Sequence, residues 1–196
     1  MIKLKLFLSV ILFLFSSSCS KDLQRESEIK EKSLDLQVLE AYNEGKKFLE
    51  EGDVLFAAKK FNEAEIMFPQ SEWAPKAALM AAYSYYSQDY YGDVIAEIDR
   101  FLKVYPNHKN LDYAYYLLAL SYYEQIVDET KDLQSIIKAK EYFQILIKKY
   151  PNTEYAIDAE FKRDYINDIL ASKEMYIGRY YVQKKKGYLQ LIDFEL

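Results

Sequence analysis

Three short turns recur along this chain: FPQS at 68–71, YPNH at 105–108 and YPNT at 150–153. Their prolines, Pro69, Pro106 and Pro151, stand 37 and 45 residues apart. Proline lacks an amide proton and its ring clashes with the preceding turn, so it closes a helix and cannot continue one. Self-similarity at a period near 40, with helical apolar spacing between the turns, marks an array of stacked helical hairpins. With only five glycines and four prolines among 196 residues, long uninterrupted periodic segments predict an all-α fold.

The tetratricopeptide pattern is the one to test at this period. It wants a small residue where two helices cross, an aromatic three residues later, an alanine and an aromatic in the second helix, and a closing proline. Counting back from Pro69, the first unit supplies Gly45, Phe48, Ala57, Phe61 and Ala64. Counting back from Pro106, the second supplies Ala82, Tyr85, Val94, Ile98 and Phe101. The third gives Ala119, Tyr122, Ala139, Phe143 and Leu146, with about eight residues inserted near 125–132. The physical demand is common to all: helix axes approach to about 8–10 Å only where side chains are small, and aromatics fill the groove beside them. Asp53 and Asp89 stand where second helices begin and are expected to cap them. A fourth unit starts near Asp158, as one long helix or a helix pair with Gly178 and Tyr181 at the crossing and aromatic positions. Gln190 stands where its second helix wants alanine, whereas Phe194 fits. The expected fold is therefore a tetratricopeptide superhelix over 34–196, with repeats at 38–71, 75–108, 112–153 and an incomplete 158–196. With no capping helix after it, the array reads as C-terminally truncated.

Ahead of the array, MIKLKLFLSVILFLF combines Lys3 and Lys5 with an apolar run from Leu6 to Phe15. This run is too short to span a bilayer, which takes about 20 apolar residues, and reads as a secretory signal peptide over 1–18. Small residues then precede Cys19, the only cysteine. The stretch resembles the lipobox of bacterial lipoproteins, although Ser16 stands where leucine is usual, and it implies acylation of Cys19. An exposed free thiol is otherwise a liability in an oxidising compartment. Ser20 is not the aspartate associated with inner-membrane retention, so the resemblance favours the outer membrane. Residues 19–33, charged and aperiodic, read as a lipidated start and flexible tether that extends to about 50 Å at ~3.5 Å per residue.

In such an array the first helix of each pair lines the inner face. Positions one helical turn apart give Leu39, Tyr42, Lys46 and Leu49, then Leu79, Tyr83 and Tyr86, then Tyr113, Tyr116, Leu120 and Tyr123. The candidate partner-binding groove is Tyr42, Leu79, Tyr83, Tyr86, Tyr113, Tyr116, Leu120 and Tyr123. Tyrosine presents a large apolar face at low entropic cost and keeps a hydroxyl for hydrogen bonding. The competing reading is that these rings only pack against neighbouring helices, as Tyr85 and Tyr122 are expected to. No catalytic constellation stands out. One histidine, His108, makes no histidine-ligated metal site, and its place in a turn suits helix initiation. No glycine-rich phosphate loop occurs, no cofactor is expected, and the net charge of −5 offers no electrostatic route to nucleic acid.

Four stretches go beyond a generic repeat: WAPKAALMAAYSYY (73–86), AEIDRFLKVYPNHKNLDYAYYLLALSYYEQI (96–126), KKYPNTEYAIDAEF (148–161) and KEMYIGRYYVQKK (173–185). In order, and with the insertion in the third unit, they resemble the BamD family, the tetratricopeptide lipoproteins of the outer-membrane β-barrel assembly machinery. The resemblance implies a lipid-anchored outer-membrane protein facing the periplasm. It also implies partners: BamA, other Bam subunits and unfolded outer-membrane protein clients. Family members carry five repeats, the C-terminal ones docking partners, and the resemblance here stops within the fourth, so it does not carry C-terminal docking over to this chain. The alternative is another periplasmic tetratricopeptide adaptor, such as the one associated with the Tol system. That adaptor usually follows a coiled coil, and no heptads precede residue 39 here.

Overall fold

The computed structural model describes residues 33–126 and 133–192. The leader, Cys19 and the tether to residue 32 lie outside the described residues, as do 127–132 within the expected insertion and 193–196 with Phe194. Among the described residues there are seven helices and no strand. They are α1 (Leu34–Glu50), α2 (Val54–Met67), α3 (Ala74–Tyr86), α4 (Tyr91–Val104), α5 (Leu111–Tyr123), α6 (Leu133–Lys149) and α7 (Glu154–Ile192). Each packs against the next in chain order, and the first helices also touch, α3 against α5 and α5 against α7.

Local chemistry places the ends. Ser33 Oγ accepts from the Leu36 amide at 3.4 Å, and Asp53 Oδ1 accepts from the Phe56 amide at 3.2 Å, so each satisfies an amide left orphaned in a first helical turn. Gly52 turns the chain between α1 and α2 at φ +83°, a left-handed conformation in which a side chain would be strained. The three proline turns share a device at their fourth residue. Ser71 Oγ accepts from Ala74 N at 3.2 Å, His108 Nδ1 from Asn110 N at 3.3 Å, and Thr153 Oγ1 from Ala156 N at 3.3 Å. The His108 ring also stands edge-on to Phe101 at 5.7 Å. Burial first, then Lys109 and Lys76, hold its pKa below the ordinary imidazole value.

The residues read from turn spacing form the core. Ala57, Phe61, Ala64, Ala82, Val94, Ile98, Phe101, Ala119, Ala139, Phe143 and Leu146 are all sealed from solvent. Gly45 shows why the crossing position is small: a Cβ there would lie 2.9 Å from the Phe61 ring. Tyr85 packs against the first two hydrophobic clusters, and Tyr122 stacks on Tyr142 with centroids 5.7 Å apart.

Two expectations are corrected. Asp89 does not cap α4. It sits at φ +63°, a left-handed position that aspartate tolerates better than most residues, and its Oδ1 accepts from the Tyr91 hydroxyl at 2.7 Å instead. The region from 158 onward takes the first of its two expected forms, one long helix, as part of α7, so the crossing expected at Gly178 and Tyr181 is what falls. No proline interrupts 154–192, and each of its two glycines, Gly178 and Gly187, costs a helix only about 1 kcal/mol. Gly178 accordingly has no atom within 4 Å of where its Cβ would lie, and Tyr181 is 64% exposed, so neither makes a helix crossing.

Candidate functional site

The first helices carry tyrosines at 3- and 4-residue intervals, and the structure brings the rings from α3, α5 and α7 together. Tyr113 and Tyr116 both lie against Tyr155, with centroids 5.6 and 5.1 Å away. Tyr83 and Tyr86 of α3 lie within electrostatic reach of Tyr113. Tyr86 stands edge-on to Tyr91 at 5.9 Å, and Tyr123 edge-on to Phe143 at 6.1 Å. Tyr83, at 40% exposure, presents the most surface of the tyrosines expected there; Tyr86, Tyr113, Tyr116 and Tyr123 are partly buried.

Three expected lining residues belong to the packing. Leu79 and Leu120 are only 4% and 8% exposed, held in hydrophobic clusters by the helices stacked over them. Tyr42, half-buried, packs on Phe61 and Trp73 at 5.2 and 5.1 Å against the core of the first repeat.

Polar groups complete the face. The Tyr116 hydroxyl donates to Asp158 Oδ2 at 2.7 Å, and Lys162 Nζ lies 3.1 Å from the same carboxylate and 5.7 Å over the Tyr123 ring. Burial raises the pKa of Tyr113, and burial followed by the Asp158 hydrogen bond raises that of Tyr116. Tyr86 is raised by burial and then by Glu124, Asp89 and Asp158. These hydroxyls remain protonated at neutral pH, and that of Tyr116 is a donor. Beside them, Lys109, Asn110, Asp112, Tyr113 and Tyr155 line a cleft of about 320 Å³.

Sequence reasoning missed Tyr155, Asp158 and Lys162, yet a signal was there. Tyr155, Asp158, Lys162 and Tyr165 repeat the 3-4-3 spacing of Tyr113, Tyr116, Leu120 and Tyr123. Among the described residues, no three histidine, cysteine or acidic side chains are grouped to hold a metal ion, and no helix is long and apolar enough to cross a membrane.

The model of the YfiO family, described as outer membrane lipoprotein, matches residues 34–192, which contain the whole tyrosine face. The chain belongs to this family. Among its relatives are proteins named outer membrane protein assembly factor BamD. The one from Caulobacter vibrioides is 41% identical over 142 residues, covering 72% of this chain and 47% of the relative. That from Rickettsia prowazekii is 40% identical over 154 residues, covering 79% and 61%. That from Neisseria meningitidis serogroup B is 30% identical over 192 residues, covering 92% and 71%. The chain thus spans about half to three-fifths of the length of the first two relatives.

Proposed function

We propose that this member of the YfiO family is a non-catalytic assembly factor for outer-membrane proteins. It receives unfolded outer-membrane protein chains on its tyrosine face and, with BamA and other Bam subunits, brings them to the site of β-barrel folding and insertion. The observation that carries this reading is the convergence of Tyr83, Tyr86, Tyr113, Tyr116 and Tyr155 from α3, α5 and α7 onto one face. The relatives' printed role in outer membrane protein assembly supports it. An unfolded client offers extended backbone and alternating apolar side chains. Phenol rings bury such side chains, while their hydroxyls donate to the client's carbonyls.

Acyl chains on Cys19 moor the protein at the periplasmic side of the outer membrane. The anchor raises the local concentration of the face near its partners without adding a contact. Intact-mass analysis of membrane-extracted protein tests the anchor: the expected product begins at an acylated Cys19, and an unmodified soluble product rejects it.

The face itself is tested by titrating a labelled client-derived peptide against the wild-type chain and Tyr83→Ala. Tyr83 is exposed and its truncation leaves the core intact. The expected result is at least fivefold weaker binding at unchanged helicity; equal affinity removes the face from client binding. Co-purification from gently solubilised outer membranes tests docking, with recovery of BamA expected.

A further inference from the structure

One end of the tyrosine face carries charge that packing does not account for. Asp89, in the turn after α3, and Glu124, at the end of α5, are both exposed and both act on the Tyr86 hydroxyl. Asp89 accepts from Tyr91, and neither carboxylate forms an ion pair with any described residue. The third carboxylate in reach of Tyr86, Asp158, is already engaged, by Lys162 and Tyr116. That engaged site is informative. It holds an ammonium group 3.1 Å from a carboxylate and 5.7 Å over a phenol ring, using residues of the face itself. The adjoining niche has the same ingredients, with Tyr86 and Tyr91 edge to face at 5.9 Å beside Asp89 and Glu124, but no described side chain supplies the cation.

We propose that this niche receives a lysine or arginine of the bound client segment, whose aromatic side chains lie on the tyrosine face. The proposal rests on client binding at the tyrosine face and specifies which segments bind there. Two considerations select this occupant. Two carboxylates with no ion pair among the described residues repel an anion and attract a cation, and a phenol ring adds to that attraction. In an extended segment, residues i and i+2 leave the same side of the backbone about 6.7 Å apart, so an aromatic and a cation present themselves to one face together. A segment carrying glutamate at that place is excluded by the same field.

The test uses the purified chain and three fluorescein-labelled octapeptides that alternate threonine with phenylalanine. In each, one interior phenylalanine is replaced, by lysine, by uncharged norleucine or by glutamate. At low salt the lysine peptide is expected to bind about tenfold tighter than the norleucine peptide, and the glutamate peptide weaker than either. The lysine advantage shrinks as salt rises, because exposed charges are screened beyond about 10 Å at 0.1 M. The double variant Asp89→Asn, Glu124→Gln is expected to abolish that advantage while leaving the norleucine affinity within twofold. Asparagine tolerates the left-handed backbone at 89, and Glu124→Gln alone, at an exposed site, gives a second variant that keeps the fold. Equal binding of the lysine and norleucine peptides at all salt concentrations, or an advantage that survives the double variant, overturns the niche while client binding stands. If no peptide binds, the client-binding reading fails and the niche falls with it.

Discussion

Replacing Arg100 by methionine isolates the strongest polar link between the first two repeats. Glu65 on α2 is 5% exposed, and both its oxygens are taken by α4 and the turn that follows. Arg100 Nη1 and Nη2 donate to its two oxygens at 2.8 and 2.7 Å, and the Tyr105 hydroxyl donates to Oε1 at 2.8 Å. Arg100 also donates to Glu97 at 2.8 and 3.1 Å, and Asn62 reaches Glu97 at 3.2 Å. Methionine keeps the apolar stem of the side chain but removes the fork, leaving a buried carboxylate with one tyrosine donor.

Two hydrogen bonds between charged groups are worth about 1.5–3 kcal/mol each, which sets an upper range of roughly 3–6 kcal/mol. The Arg100 side chain is 40% exposed, so water partly replaces it and the expected loss is about 2–3 kcal/mol. At roughly 2–4 °C per kcal/mol for a domain of this size, the thermal midpoint should fall by roughly 4–12 °C. Circular dichroism at 222 nm against temperature and urea reads the change. The double variant Glu65→Met, Arg100→Met removes both charges and is expected to regain most of the loss, because a matched apolar pair needs no counter-charge. A loss below about 1 kcal/mol for Arg100→Met, or a double variant no more stable than the single one, would refute the assignment of this pair as an inter-repeat clamp.

Gly45→Ala should destabilise by about 1–2 kcal/mol in urea unfolding, since overpacking against the buried Phe61 ring outweighs the ~1 kcal/mol gain in helix propensity. A stabilised variant would show that the crossing has slack. Asp53→Ala removes the cap of α2 and should cost about 1 kcal/mol by the same measurement, whereas an unchanged midpoint would mean that water replaces the cap. Ultraviolet titration near 295 nm should show a late-ionising class of tyrosines, because Tyr91, Tyr105, Tyr113 and Tyr116 are all raised above 10.0, chiefly by burial. The unfolded chain gives up those protons near pH 10 and the folded chain holds them, so stability is intact below pH 10 and falls as the pH rises beyond it. A single titration step with no alkaline loss of stability would contradict the packing described.

What was legible in the chain follows from how local its causes are. The aromatic–proline turns mark where helices must stop, and the small and aromatic residues counted back from them mark where helices must cross. Gly45 therefore sits against Phe61, and Ala82 and Ala119 share buried clusters with Ile98 and Phe143. Asp89 was misread because the same residue type serves as a helix cap or as a left-handed turn residue, and its neighbours in sequence do not choose between them. Leu79, Leu120 and Tyr42 were misread for a related reason: a first helix has two faces one residue apart, and only the neighbouring pair decides which one is covered.

The sequence by itself determined an all-helical hairpin array, its crossing residues and the wealth of tyrosine along the first helices. Those properties rest on proline stereochemistry and helical periodicity, which act over a few residues. Only the tertiary structure decided which rings meet, that Asp158 and Lys162 of α7 close the face, and that Asp89 and Glu124 stand near Tyr86 with no ion pair among the described residues. Contacts between residues some 40 positions apart depend on how successive helices stack, and the spacing of side chains along each helix does not specify which of them meet.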